Sequence, residues 1–184
     1  MRNKVEMGNK YLLDEKELLK DTGHQILEVF QRGYNCGGFA LGIFEWYCPH
    51  TDEENWEMDE LCMDDYLTED EKCDACADIM INHMTSRGLC REIKDESELK
   101  DNEYLVLFKA AVDDFHYARR TSSGRWYHKM GWNDIEEVSE EEVYSYEWWA
   151  DFDYSYRGEL RMLAVEKTDF KQKRLRRKLV CAQL

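Results

Sequence analysis

A cysteine followed by two glycines opens the stretch of the chain best suited to chemistry, Asn35-Cys36-Gly37-Gly38-Phe39-Ala40. The apolar run from Cys36 through Tyr47, with Phe39, Leu41, Ile43, Phe44 and Trp46, predicts a helix that begins at the cysteine and is ended by Pro49. A thiol in the first turn of a helix faces the positive end of the helix dipole and backbone N–H groups that lack helical partners. Both favour the thiolate, which is the nucleophilic form of cysteine. The glycines leave the sulfur uncovered and let a substrate backbone approach, and the same N–H groups could form an oxyanion hole. Asn35 and Gly37 are therefore candidate substrate-binding positions. The plainer alternative is that Cys36 is a small core residue on a helix.

A nucleophilic thiol needs a base. His116 and His128 are the two histidines on predicted strands, Asp114 to Arg120 and Arg125 to Lys129, joined by the turn Thr121-Ser122-Ser123-Gly124. If the loop is Ser122-Ser123-Gly124, with Gly124 at positive φ in a type I turn plus G1 bulge, both histidines fall on one face. They are then diagonal neighbours, about 7–8 Å apart at Cα, and their side chains can touch. A two-residue loop would turn them to opposite faces. In the productive register His116 can face the thiol while His128 orients its ring, the arrangement of nucleophile, base and orienting group. Two polar residues on a solvated face are the competing reading.

A cysteine opening a helix, then a histidine on a strand, then a second histidine on the returning strand, resembles the NlpC/P60 branch of the papain-like cysteine peptidases. The matching segments are Asn35 to Phe39, Glu103 to Phe108, and His116 and His128 on the hairpin, about a third of the chain. The block Asp114-Phe115-His116-Tyr117 with Gly124-Arg125-Trp126-Tyr127-His128-Lys129-Met130-Gly131 is also similar to one found in bacterial and phage proteins. The resemblance implies an α+β fold of papain-like type, with the nucleophile helix packed on an antiparallel sheet. It implies Cys36 as nucleophile, His116 as base and His128 as the polar third member, with Trp126 beside them as a further substrate contact. The implied reaction is that of a thiol-dependent peptidase or amidase: the thiolate attacks an acyl carbon, His116 protonates the leaving group, and water releases the acid from a thioester. No metal or organic cofactor is implied, and the substrate is a protein or peptide. This chain departs from the family in having Asn35 where an acidic residue is usual, in lacking a glycine-containing pattern on the base strand, and in an addition at 49–100.

These residues must be positioned by a single domain spanning 1–184. A helical stripe over 11–32 (Leu12, Leu13, Leu18, Leu19, Ile26, Leu27, Val29, Phe30) precedes the cysteine and stops at Gly33. Residues 49–100 read as a helical insertion ahead of the sheet; it starts acidic and contains a helix from about Thr68 to Ser86, with Thr68 and Glu71 as a capping box and Gly88 closing it. Glu103 to Phe108 is a buried-strand run, and Arg161 to Val165 a last strand. Between them Asp134 to Asp153 is acidic, and Tyr144 to Tyr156 is rich in aromatics, either core or a binding wall. The tail, 166–184, is basic. Cys73, Cys76, His83 and Cys90 could be zinc ligands, but Cys73, Cys76, Met80 and His83 share helical spacing, and a buried stripe is the better reading. His24 and His50 are lone histidines of the kind found at surfaces.

The formal net charge is −15 with a pI near 4.8, which opposes nucleic-acid binding. No apolar run approaches the roughly 18 residues that span a bilayer, and nothing after Met1 reads as a secretory signal. The seven cysteines are accordingly expected as thiols in the cytoplasm. A phage lysis enzyme released through a separate pore also fits. The leading alternative to a hydrolase is a non-catalytic acidic binding or inhibitor protein, phage-encoded in one version, whose surface captures a basic partner. A zinc-stabilised interaction module is a third reading.

Overall fold

The run Glu103–Ala110 is buried on both sides from Tyr104 onward, as a central strand requires, and the fold is assembled around it. The computed structural model describes residues 34–43, 46–112, 114–131, 133, 135–151 and 156–167. The expected helix at 11–32, His24, Cys181 and the basic stretch 171–178 lie outside them. In chain order the elements are α1 (Cys36–Ala40), α2 (Asp52–Cys62), α3 (Glu69–Ser86), β1 (Arg91–Ile93), β2 (Glu103–Ala110), β3 (Phe115–Arg120), β4 (Trp126–Lys129), β5 (Ile135–Val138), α4 (Glu140–Val143), α5 (Tyr146–Ala150) and β6 (Arg161–Glu166), with a 3₁₀ turn at Glu96–Glu98. The fold is α+β. The six strands form one antiparallel sheet in the order β1-β6-β2-β3-β4-β5.

The sheet is covered on both faces. One face carries Tyr104, Val106, Phe108, Tyr117, Leu163 and Val165 and packs against α1 and the Cys76, Ala77, Met80, Ile81 and Met84 stripe of α3. The other carries Leu105, Leu107, Ala118, Trp126 and Ala164 and packs against Val143, Trp149 and Tyr156.

Helix α3 follows the sequence closely. Thr68 and Glu71 form the reciprocal capping box, and Gly88 at φ 65° takes the left-handed position after the last turn. Its Cys73, Cys76, Met80 and His83 are buried in the expected stripe. Helix α3 supplies a large part of the main core, so 49–100 is integral to the packing, and it is not wholly helical: β1 lies within it and pairs with β6.

Helix α1 is shorter than expected. It stops at Ala40 rather than running to Tyr47, because Gly42 at φ 63° closes it: Gly42 N–H donates to Phe39 O (3.2 Å) and Ile43 N–H to Gly38 O (2.9 Å). That pair of bonds is the glycine-closed terminus that satisfies the last helical carbonyls. Of the described apolar residues beyond it, Ile43, Trp46 and Tyr47 lie in neither helix nor strand.

Candidate active site

Cys36 is the first residue of α1, and Asn35 is its N-cap. The Asn35 side chain makes three hydrogen bonds. Its Oδ1 accepts from Gly38 N–H (3.0 Å) and Tyr47 N–H (3.1 Å), and its Nδ2 donates to Tyr47 O (2.7 Å). Asn35 therefore clamps the returning segment at Tyr47 to the start of α1, and its side chain is held by that clamp rather than turned toward the thiol. Gly37 serves the same closure. A Cβ there would lie 3.2 Å from the Tyr47 ring and 3.3 Å from the Tyr117 ring, so the missing side chain admits these two tyrosines rather than a substrate.

The thiol is 6% exposed and points to Phe115 O at 3.5 Å. Burial pushes its pKa well above the ordinary value, and the Asp114 carboxylate adds to this; the backbone N–H groups of Gly37 and Cys36 pull it down by less. Burial thus outweighs the short helix and favours the neutral thiol.

The hairpin is the one expected. Thr121 N–H donates to Arg125 O and Gly124 N–H to Thr121 O, which closes a three-residue loop with Gly124 at φ 85°. Ala118 sits opposite His128, so His116 and His128 are diagonal neighbours. His116 Nε2 and His128 Nδ1 are 3.1 Å apart.

The histidines lie on the wrong face for Cys36. Tyr117 and Arg119 of β3 turn toward α1 and α3: Tyr117 OH donates to Met84 Sδ (3.3 Å), and the Arg119 guanidinium lies 4.0 Å over the Tyr104 ring. The alternate residues His116 and Ala118 face the other way, as the period of two demands. There Tyr156 stacks on His116 (5.8 Å between centroids), Trp149 meets it edge-on (5.9 Å), and Trp148 meets His128 at 5.0 Å. The expected meeting of Cys36 with His116 is corrected on this point: the sheet stands between them. Burial, with His128 next to it, holds His116 well below the usual imidazole range, and burial brings His128 down to about 4. Both are neutral near pH 7, and one donates to the other.

Trp126 shares the histidine face but is core, packed with Ala118, Val138 and Val143. The described part of the aromatic segment is divided: Trp149 and Tyr156 are buried in the core, Trp148 is half-buried against it, and Tyr144 and Tyr146 are exposed. Tyr156 OH donates to Asp114 Oδ2 (2.7 Å).

Cys73, Cys76, His83 and Cys90 do not converge. His83 Nδ1 instead pairs with Glu54 Oε2 at 2.7 Å, joining α3 to α2, and among the described residues no group of three or more His, Cys, Asp or Glu side chains is placed to hold a metal ion. A cysteine and a histidine do meet in a place that the sequence reading passed over. Cys48 Sγ lies 3.0 Å from His50 Nε2, and His50 Nδ1 lies 3.2 Å from Thr51 O. The carbonyl can only accept, so Nδ1 carries the proton and Nε2 faces the thiol as acceptor. Cys48 is exposed, though burial still raises its thiol pKa, with Asp114 and Asp52 in the same direction. Cys48-Pro49-His50 was the available signal, hidden because His50 is not on a strand or helix.

No helix among the described residues is long and apolar enough to cross a membrane. Comparison with models of protein families, with curated proteins and with solved structures finds no match for the chain.

Proposed function

We propose that the protein is a non-catalytic acidic binding protein that captures a basic partner. The observation that carries this reading is the segment from Asp52 to Glu71. It holds eleven carboxylates and neither lysine nor arginine, and nine of the eleven are exposed. Only one of the eleven, Glu69, makes an ion pair with a lysine or arginine of the described residues, through Lys72 (3.3 Å). Such a field attracts cationic surfaces and speeds encounter with them, with strength that falls as salt rises.

The test is titration of the protein with a lysine-rich polypeptide across a range of ionic strength. Binding that weakens steeply with salt and is unchanged in Cys36→Ala and His116→Ala supports the reading; the absence of salt-sensitive binding overturns it.

A thiol hydrolase of NlpC/P60-like type is the second reading, favoured by Cys36 at the first position of α1 and by the 3.1 Å contact between His116 and His128. It requires thiol and imidazole to share one face of the sheet. An acyloxymethyl ketone or vinyl sulfone probe that labels Cys36, and not Cys36 in His116→Ala, is its positive result.

A further inference from the structure

We infer that the docking surface is the outward face of α2 and that its occupant is a lysine- and arginine-rich amphipathic helix of a partner protein; this rests on the acidic-binding reading above.

Helix α2 has two dissimilar sides. Met58 is buried and Glu54 bonds to His83, so that side is fixed to α3. The opposite side presents Trp56 at 74% exposure and Met63, just past the last turn, at 82%. These residues are seven apart, two helical turns, which places them in one line about 10 Å apart. Tyr66, in the turn beyond, is 97% exposed. Glu53, Glu57 and Glu60 flank Trp56 at spacings of three, one and four residues, and all three are exposed.

A large indole and a methionine held in water on a helix whose other side is already packed mark an interaction surface. The charge around them selects the occupant. A second copy of this chain would bring the same carboxylates against themselves, and an anionic lipid surface would be repelled. A helix with apolar anchors two turns apart and cationic side chains between them satisfies both features at once. Its apolar side chains cover Trp56 and Met63, its lysines and arginines meet Glu53, Glu57 and Glu60, and an arginine can lie on the Trp56 face.

The test uses the full chain and two probes of equal charge. One is a synthetic amphipathic peptide of about 18 residues, five turns, with leucines in one stripe and lysine or arginine elsewhere; the other is an oligolysine. The expected result is that the amphipathic peptide binds more tightly, and that Trp56→Ala and Met63→Ser each cut its affinity by about tenfold while leaving oligolysine binding unchanged. Because both side chains are largely solvated, the variants fold, which circular dichroism checks. If both probes bind equally and the substitutions change nothing, the docking face is overturned while the acidic-binding reading stands. If neither probe binds, the acidic-binding reading itself fails. Concentration-dependent self-association abolished by Trp56→Ala identifies a second copy as the occupant and overturns the proposal.

Discussion

The reactivity of Cys36 separates the two functional readings most directly. Near pH 7.5 an ordinary thiol of pKa about 8.5 is about 10% thiolate, and each unit of upward shift cuts that tenfold. Burial and the Asp114 carboxylate raise the Cys36 thiol, and a rise of only two units leaves about 0.1% thiolate. Its 6% exposure further restricts the approach of a reagent. Alkylation by iodoacetamide, followed residue by residue by mass spectrometry, is therefore expected to be at least about 100-fold slower at Cys36 than at a small free thiol. Cys48, exposed at the surface, is expected to react before it. His116→Ala should leave the Cys36 rate within about twofold, because the imidazole is on the far side of the sheet, beyond hydrogen-bond reach. In urea, Cys36 should become as reactive as the free thiol, which shows that its slowness belongs to the fold. A Cys36 that reacts at or above the free-thiol rate at pH 6–7, and loses that advantage in His116→Ala, would refute this reasoning and restore the hydrolase.

The histidine pair makes stability fall on acidification. His128 titrates at about 4 in the fold against an ordinary 6.5, so between those values the unfolded chain binds the proton and the folded chain does not; stability present above pH 6.5 should drop by about 3 kcal/mol by pH 4, His116 acting in the same direction. Urea unfolding at pH 7, 5.5 and 4.5 measures this, and a stability that rises on acidification, as relief of the −15 charge alone would give, contradicts it. Asn35→Ala removes both the cap of α1 and the clamp on Tyr47 and should cost about 2 kcal/mol; Asn35→Asp keeps the acceptors but sets a buried carboxylate oxygen against Tyr47 O, and should cost at least as much in chemical denaturation at pH 7. Gly158→Ala places a Cβ 2.5 Å from Asp74 Oδ1 at a backbone φ of +60° and should lower stability by about 1–2 kcal/mol, read as a loss in the denaturation midpoint at unchanged slope.

What could be read from the sequence was local. The loop Ser122-Ser123-Gly124 determines the hairpin register because only the glycine accepts φ 85° without strain, and the register makes His116 and His128 share a face. Thr68, Glu71 and Gly88 delimit α3 in the same local way. The end of α1 was equally local and was missed: Gly42 stops the helix, while Ile43 and Trp46 prolong the apolar pattern past it. Which face of the sheet α1 covers is a different matter. Tyr104-Leu105-Val106-Leu107-Phe108 has no alternation, since both faces are buried, and β3 and β4 place large side chains on both sides too. Without a polar side, the period of two relates the histidines to one another but gives no sign relative to the thiol. The same ambiguity hid the place of Trp126, expected as a substrate contact beside the histidines and found in the core. Cys48 and His50 meet through an irregular segment, where no periodicity exists to announce it.

The separation of Cys36 from His116 is costly to undo, although the two are close along the backbone. Cys36 Sγ touches Phe115 O, and His116 is the next residue, but consecutive side chains on a strand leave in opposite directions. Two routes would bring the imidazole across. A one-residue slip of β3 keeps the strand paired but reverses every side chain on it. Tyr117 would leave Phe108 and Met84, and Arg119 would leave the Tyr104 ring and the Phe39 carbonyl, all buried contacts on the α1 face. His116 would also leave His128, which stays on the opposite face. Fraying the start of β3 instead releases Phe115 and His116 from Ala110 and Lys109. It breaks the His116–His128 bond and the stacking on Tyr156, so the base reaches the thiol only by losing the group that would orient it. Either route dismantles part of the triad it is meant to assemble. The histidine pair is thereby accounted for as a hydrogen-bonded, neutral element of an aromatic core, and the proposed binding function rests on the exposed carboxylates of α2 instead.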